Sequence, residues 1–167
     1  MNNSDTSAQF HLVRVNAPAG PSPHLHPDIA DFWNSLDRGQ LSIQRCSSCE
    51  TLRFPISPNC HECLSPDFSW EAIHPRGTVN VAIEAHEAVS KLPASGISLS
   101  DPWRGMTPYI SGVVDMDAGV RLPGRIVCRC GDALIPGTEV NAVLLGAAHN
   151  VTIYGFLHEC ESTRSTT

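Results

Sequence analysis

The sequence is poor in basic residues, and this shortage limits the partners that the protein can have. Among its 167 residues, 11 are lysine or arginine and 17 are aspartate or glutamate, so the formal net charge is −6. Lys91 is its single lysine. Because binding to a nucleic-acid backbone requires a basic surface that neutralises phosphates, we expect no nucleic-acid partner.

Long hydrophobic runs are also missing. No apolar segment approaches the roughly 20 residues that a membrane-spanning helix needs, so we expect no membrane partner. The first residues contain neither a basic segment nor an apolar one and therefore predict no signal peptide. Seven cysteines in a chain without an export signal favour a reducing compartment, and we expect a cytoplasmic location.

The most informative stretch contains two Cys-x-x-Cys pairs that are separated by ten residues. Cys46 and Cys49 form the first pair, and Cys60 and Cys63 form the second. Each pair makes a tight turn that points two sulfurs the same way, so the two turns together can enclose a tetrahedral metal ion. The spacing predicts one structural Zn²⁺ per chain in a small rubredoxin-like ribbon. Iron also fits four thiolates, and two disulfides or unbound thiols are the alternatives without a metal.

An amphipathic helix is predicted just before this ribbon, over residues 27–38. Apolar residues at positions i, i+3, i+4 and i+7 share one face of a helix, and Gly39 suits its carboxyl end. This apolar stripe either packs on the protein's own core or forms a surface for a partner. Its members are Ile29, Phe32, Trp33 and Leu36.

A small β-barrel is predicted from Trp70 onward, because short strands follow one another at close intervals. Asp117–Gly119 and Pro136–Thr138 are turn sequences between strands. Five strands match the strand count of the OB-fold, a partly open Greek-key barrel. The candidate strands are 77–84, 109–115, 120–128, 139–145 and 151–158.

The predicted fold is therefore mostly β: an N-terminal helix plus a rubredoxin-like zinc ribbon, followed by a five-stranded OB-fold barrel. In the N-terminal region, Phe10–Val15 is a short apolar piece that can add to a sheet edge or lie on a partner. The regions are a flexible arm at 1–26, the helix and ribbon at 27–68, the barrel at 69–160 and a flexible tail at 161–167.

Several of these motifs together resemble a known protein family. The run Phe32-Trp33-x-x-Leu36-x-x-Gly39-x-Leu41-x-Ile43-Gln44-Arg45-Cys46-x-x-Cys49 is followed by Leu52-Arg53-Phe54-Pro55 and by Cys60-x-x-Cys63. This arrangement resembles the zinc-ribbon/OB-fold proteins known as domain of unknown function number thirty-five, and the likeness covers residues 28–157. The chain departs from the pattern at Glu50 and Leu64, where such turns often carry glycine.

The resemblance implies an accessory subunit of a thiolase-like enzyme that acts on coenzyme A thioesters, as in steroid side-chain aldolases and polyketide acyltransferase complexes. It implies that the partner carries the catalytic residues, that this chain has none, and that it docks in a hetero-oligomer and helps to bind or channel acyl-CoA. The acyl group, the partner and the stoichiometry stay open. Because aromatic and arginine residues are the usual interface anchors, the predicted partner contacts are Phe32, Trp33, Arg53 and Phe54.

The stretch 85–108 is rich in proline and glycine and resists regular structure. By charge and by stacking, some of its residues can meet the phosphates or the adenine of coenzyme A. A solvated loop with scattered polar groups is the alternative. The predicted acyl-CoA contacts are His86, Lys91, Trp103 and Arg104.

Three cysteines lie outside the ribbon. Cys128 and Cys130 would share one face of a strand, and Cys160 stands near the carboxyl terminus. A second metal site would need a fourth ligand that the sequence does not show, so we expect these residues to be buried structural thiols.

Two other function classes are alternatives to the accessory role. A ribbon followed by an OB-fold can bind single-stranded nucleic acid by stacking bases over a basic groove, but here the aromatic content is 6% and the charge is acidic. An electrophoretic shift assay with single-stranded DNA and RNA at low salt separates these readings. A zinc hydrolase is disfavoured because four thiolates leave no position on the metal for water.

Overall fold

The computed structural model describes residues 10–160 except 18, 21 and 87–105. None of the helices in these residues is long and apolar enough to cross a membrane. A 3₁₀ turn, Pro27–Ile29, leads into the helix α1, Ala30–Asp37, and a second 3₁₀ turn, Ala148–Asn150, separates the last two strands. The strands are β1 Ser42–Cys46, β2 Leu52–Arg53, β3 Phe68–Ala72, β4 Arg76–Ala85, β5 Tyr109–Met116, β6 Arg121–Cys128, β7 Glu139–Gly146 and β8 Thr152–His158.

The first three strands form the sheet of the ribbon, in the order β2-β1-β3. All of its pairs are antiparallel, and Gln44 of β1 lies opposite Arg53 of β2 on one side and Trp70 of β3 on the other. We expected the ribbon to end by residue 68, but β3 pairs with the whole of β1 and carries the sheet on to Ala72. The central strand is thus held on both edges, and it leads directly into Cys46.

The remaining five strands form a closed barrel in the order β4-β5-β6-β8-β7, which confirms the predicted mostly-β fold with a ribbon and an OB-fold barrel. Strands β6 and β8 run parallel to each other, and the other neighbours are antiparallel. The tight turn between β5 and β6 contains Gly119 at φ 86°, a left-handed conformation that glycine adopts without a steric penalty.

Helix α1 packs between the ribbon and the barrel. Phe32 is 3% exposed and Leu36 is fully buried. The ring of Phe32 lies 6.5 Å from that of Phe54 in the ribbon segment and 6.0 Å from that of Tyr154 in β8. The apolar stripe therefore belongs in large part to the protein's own core, which runs continuously from the helix into the barrel.

Residues 10–17 are packed against the barrel: Phe10–Val15 adds to a sheet edge, one of the two roles expected for it, and this part of the chain is not a flexible arm. Leu12 is 3% exposed. The backbone of Leu144 in β7 accepts a hydrogen bond from Val15 N at 2.9 Å and donates one to Val13 O at 2.9 Å. The pairing of β7 with β4 stops at Asn141, so the N-terminal segment satisfies backbone groups that would otherwise lack partners at this edge.

Candidate metal centre and the neighbouring cavity

The four ribbon cysteines converge on one point. Their sulfur atoms all lie within 4.8 Å of one another. Two of the separations, Cys46 Sγ to Cys63 Sγ and Cys49 Sγ to Cys60 Sγ, are both 3.6 Å. Four sulfurs about 2.3 Å from a tetrahedral zinc ion are about 3.8 Å apart, so the cluster fits this ion closely. Because the four sulfurs would fill all four positions, a metal held here would be structural.

The two cysteine turns have the same backbone structure. In the first, Glu50 N donates to Cys46 O at 3.0 Å, and in the second, Leu64 N donates to Cys60 O at 3.0 Å. Glu50 and Leu64 both have φ of 62°, the left-handed conformation that favours glycine. These are the two positions at which the sequence departs from the glycine of the family pattern. The fold therefore keeps the glycine-type turn there without glycine.

The protein surroundings distinguish the four thiols. Desolvation raises the pKa of Cys46, but hydrogen bonds from the backbone of Cys49 and Ser48 outweigh it and lower this pKa to about 6. For Cys63, the backbone of Ser65 lowers the pKa, but the sulfur of Cys49 and desolvation prevail and raise it to about 12. Four mutually close thiolates repel one another, and a bound cation removes this repulsion, so the donor set is suited to a divalent metal.

Arg45 fixes the first cysteine turn to β3. Its guanidinium forms a bidentate ion pair with the carboxylate of Glu71, and it also donates from Nη1 to the carbonyl oxygen of Glu50 at 2.6 Å. The hydrogen bond from Arg45 lowers the pKa of Glu71. Since both side chains of this pair are more than a third exposed, the ion pair itself adds little stability, and its main role is to position the turn.

Arg53 connects the segment after the second cysteine pair to β2 from inside the protein. It is fully buried, and Nη2 donates to Asp67 O at 2.9 Å. Its guanidinium carbon lies 4.9 Å from the centre of the Phe68 ring. These contacts satisfy Nη2 and place the guanidinium against an aromatic ring, while its Nε has no hydrogen-bond partner among the described residues.

The burial of two predicted partner contacts corrects the sequence prediction. Phe32 and Arg53 face the protein's own interior and cannot touch a partner in this conformation. A helical apolar stripe has the same pattern whether it covers the protein's own core or a partner, which is why the sequence could not separate these roles. Trp33 and Phe54 are half-buried, and they stay predicted partner contacts.

A cavity of about 520 Å³ lies beside the ends of β4 and β6 and the beginning of β5. Charged and apolar groups both line it, including Glu84, Tyr109, Arg125, Asp132 and Leu134. Burial lowers the pKa of Arg125, whose guanidinium carbon is 5.8 Å from the centre of the Tyr109 ring.

The predicted acyl-CoA contacts lie mostly outside the described residues: Lys91, Trp103 and Arg104 all do so. His86 is described and is largely exposed, and its Nε2 lies 3.6 Å from the carboxylate of Glu84. Because Glu84 lines the cavity, His86 is placed near its rim rather than among its lining residues.

The three cysteines outside the ribbon differ from the expectation of buried structural thiols. Cys130 and Cys160 form a disulfide, and Cys128 is half-buried and has a free thiol. The sequence reading also missed His158, whose Nδ1 lies 3.5 Å from Cys128 Sγ. A signal was present, since Cys-x-Cys and His-x-Cys each place two ligands on one face of an extended segment. Bringing the two pairs together required the parallel pairing of β6 with β8.

Comparison with protein families gives two adjacent matches. Residues 33–69 match the model described as "ChsH2, rubredoxin-like zinc ribbon domain". Residues 70–145 match the model described as "ChsH2, C-terminal OB-fold domain". Most of the helix, the ribbon and most of the barrel thus fall within two models of the same family.

Individual relatives agree with these matches. The chain is 30% identical over 135 residues to a "Probable enoyl-CoA hydratase alpha subunit" of Thermomonospora curvata, which is 80% of this chain and 38% of that protein. It therefore spans well under half of the length of this curated relative. Among solved structures, it is similar to a chain described as "Ltp2-ChsH2(DUF35) aldolase", with 28% identity and a TM-score of 0.66, over 82% of this chain and 98% of that one.

Proposed function

Because this chain belongs to the ChsH2 family of zinc-ribbon/OB-fold proteins, we propose that it is a non-catalytic accessory subunit of a thiolase-like enzyme that acts on an acyl-CoA. The observation that carries this proposal is the similarity to the aldolase chain, because the match spans 98% of that chain and the aldolase is named for two components, Ltp2 and ChsH2. The similarity to an enoyl-CoA hydratase subunit supports a coenzyme A thioester as the substrate.

The metal centre supports a structural rather than a chemical role for the ribbon. Four thiolates that surround one zinc ion leave no open position for water or a substrate carbonyl. Such an ion would hold the two turns together, while Arg45 ties the first turn to β3 and Arg53 ties the segment after the second cysteine pair to β2. Because α1 packs between the ribbon and the barrel, the ribbon can present a fixed surface to a partner enzyme.

Trp33 is the strongest candidate for direct contact with that partner. It lies on α1 next to buried Phe32, with their ring centres 5.1 Å apart, and it is itself half-buried. Its indole Nε1 has no hydrogen-bond acceptor among the described residues, although it is shielded from water. Because this nitrogen is already buried, a partner can cover only the exposed remainder of the ring, and a half-exposed tryptophan is a typical interface anchor.

Trp33→Ala is therefore expected to weaken association with the partner enzyme. Truncating a central aromatic anchor costs roughly 2 kcal/mol or more, which is about a thirtyfold increase in Kd. Titration calorimetry with the purified thiolase-like enzyme measures this change, and metal content and circular dichroism establish that the variant is folded. Trp70→Ala is the matched control, because it removes the same side chain from β3 of the ribbon. If both variants lose affinity equally, or if neither loses affinity, Trp33 is not a specific contact with the partner.

The cavity beside β4 and β6 is the proposed contact region for the acyl-CoA. Its volume of about 520 Å³ lies within the range of ligand pockets, roughly 300–1,000 Å³. Glu84 and Asp132 balance the charge of Arg125, so the cavity offers no concentrated positive charge for the coenzyme A phosphates. It is better suited to the acyl or pantetheine part, whose carbonyl groups can accept hydrogen bonds from Arg125.

Arg125→Met is expected to raise the KM of the assembled enzyme for its acyl-CoA roughly tenfold, since a hydrogen bond from a charged donor contributes about 1.5–3 kcal/mol. Steady-state kinetics of the reconstituted complex measure this effect. Arg129→Met is the matched control, because Arg129 follows the same strand, is exposed and does not line the cavity. If Arg125→Met associates normally and its KM is unchanged, the cavity does not bind the acyl-CoA. That result would not contradict the accessory role.

A further inference from the structure

A second group of metal-ligating side chains forms where two parallel barrel strands end. In the β6–β8 pair, Cys128 lies directly opposite His158. Cys130 and Cys160 each follow two residues later, just beyond the ends of these strands, where the chain bends at Arg129 and Cys130. The ends of two adjacent strands therefore bring three thiols and one imidazole together.

Apart from the Cys130 and Cys160 sulfurs, which are bonded to each other in the disulfide, the distances in this group are close to those of a tetrahedral zinc site. The four ligand atoms lie within 4.8 Å of one another, as they do in the ribbon. His158 Nδ1 is 3.5 Å from Cys128 Sγ and 3.6 Å from Cys130 Sγ. A sulfur about 2.3 Å and a nitrogen about 2.05 Å from the same tetrahedral zinc are about 3.6 Å apart. The Cys128 and Cys130 sulfurs are 3.3 Å apart, slightly closer than two zinc-bound thiolates.

We propose that the reduced chain binds a second zinc ion through Cys128, Cys130, Cys160 and Nδ1 of His158. Three cysteines and one histidine are a standard ligand set for structural zinc. This site is separate from the ribbon and uses the one cysteine cluster that the accessory role does not employ. Cys128 and the neighbouring Gly131 and Asp132 line the cavity, so the ion fixes one wall of it.

The disulfide between Cys130 and Cys160 and the second zinc ion are alternative states of the same two sulfurs. A dithiol reductant transfers two electrons and two protons to this disulfide, which becomes two thiols, and the reductant is itself oxidised to a disulfide. Zinc then displaces the protons of three thiols and binds three thiolates and a neutral imidazole. In the reverse direction a disulfide oxidant accepts two electrons from the two thiolates and is reduced to two thiols, and the re-formed Cys130–Cys160 disulfide no longer holds the ion.

Metal content in the two states tests this proposal directly. The full chain is either treated with dithiothreitol or left oxidised, and it is then incubated with excess Zn²⁺ and no other metal. After desalting under anaerobic conditions, its zinc content is measured by inductively coupled plasma mass spectrometry. We expect about two zinc ions per reduced chain and about one per oxidised chain, because only the ribbon keeps four available thiols in both states. One zinc ion in both states would overturn the proposal.

Variants identify the ligands while the ribbon stays intact. His158→Gln should reduce the reduced chain from two zinc ions to one, and His86→Gln, an exposed histidine outside the cluster, should leave two. Loading the reduced chain with Co²⁺ gives an independent readout. The absorption spectrum of the bound cobalt should change in His158→Gln and should stay the same in His86→Gln. Two ions retained in His158→Gln would contradict the assignment of His158. Because no partner enzyme takes part, these results are independent of the accessory function.

Discussion

Cys60→Ser is expected to lose the ribbon zinc ion and to unfold the ribbon over residues 42–72. Cys60 is 1% exposed and supplies one of the four sulfurs, and a serine hydroxyl is a poor ligand for zinc at neutral pH. Structural zinc in small domains contributes roughly 10–16 kcal/mol of apparent binding free energy, which is at least as large as the usual stability of a whole domain, about 5–15 kcal/mol. The ribbon sheet has one two-residue strand and little apolar surface of its own.

Limited proteolysis and metal analysis check this expectation. Cleavage sites should appear between β1 and β3 in Cys60→Ser, and the zinc of the ribbon should be absent. Cys128→Ser is the matched control, because it makes the same chemical change outside the ribbon and should leave residues 42–72 protected. A Cys60→Ser protein that keeps the metal and the protease resistance of the wild type would show that the ribbon does not depend on this ion.

The ribbon and the barrel strands could be predicted because their signals are local. The spacing of Cys46, Cys49, Cys60 and Cys63 specifies two turns around one ion, whatever the rest of the chain does. The strand candidates were likewise bounded by glycine and proline turns, and the observed β4 to β8 begin and end within one or two residues of them. In both cases a few neighbouring residues carry the information.

The features that were missed depend on contacts between distant parts of the chain. His158 joins the second cysteine cluster only because β8 pairs in parallel with β6, and nothing near position 158 encodes that pairing. Leu12 and Val15 are buried because β7 leaves part of its edge unpaired. The burial of Phe32 follows from Tyr154, which lies more than a hundred residues further along the sequence.

Arg53 illustrates a different limit. Arginine beside an aromatic residue is common at protein interfaces, so the Arg53–Phe54 step predicted a partner contact. The same guanidinium can instead satisfy backbone carbonyls inside a small domain that has few buried donors of its own. Here it donates to Asp67 O and lies over Phe68, and the choice between the two roles depended on how closely the start of β3 lies to β2 within the ribbon.

Omitting this chain from the assembled enzyme is expected to lower the turnover of the acyl-CoA by roughly 100-fold or more. If the chain forms part of the channel that positions the substrate, its loss misplaces the thioester, and misplacement by about 1 Å can cost a factor of roughly 100 in rate. The comparison requires the thiolase-like enzyme expressed with and without this chain, at equal concentration and with its own fold established by circular dichroism.

The most direct measurement is therefore kcat/KM of the purified thiolase-like enzyme for its acyl-CoA as this chain is titrated back. We predict that activity rises and saturates at a fixed ratio of the two proteins, that a zinc-free Cys60→Ser chain fails to restore it, and that Trp33→Ala restores it only at about thirtyfold higher concentration. A thiolase-like enzyme that is fully active alone, and that forms no complex with this chain, would contradict the accessory role.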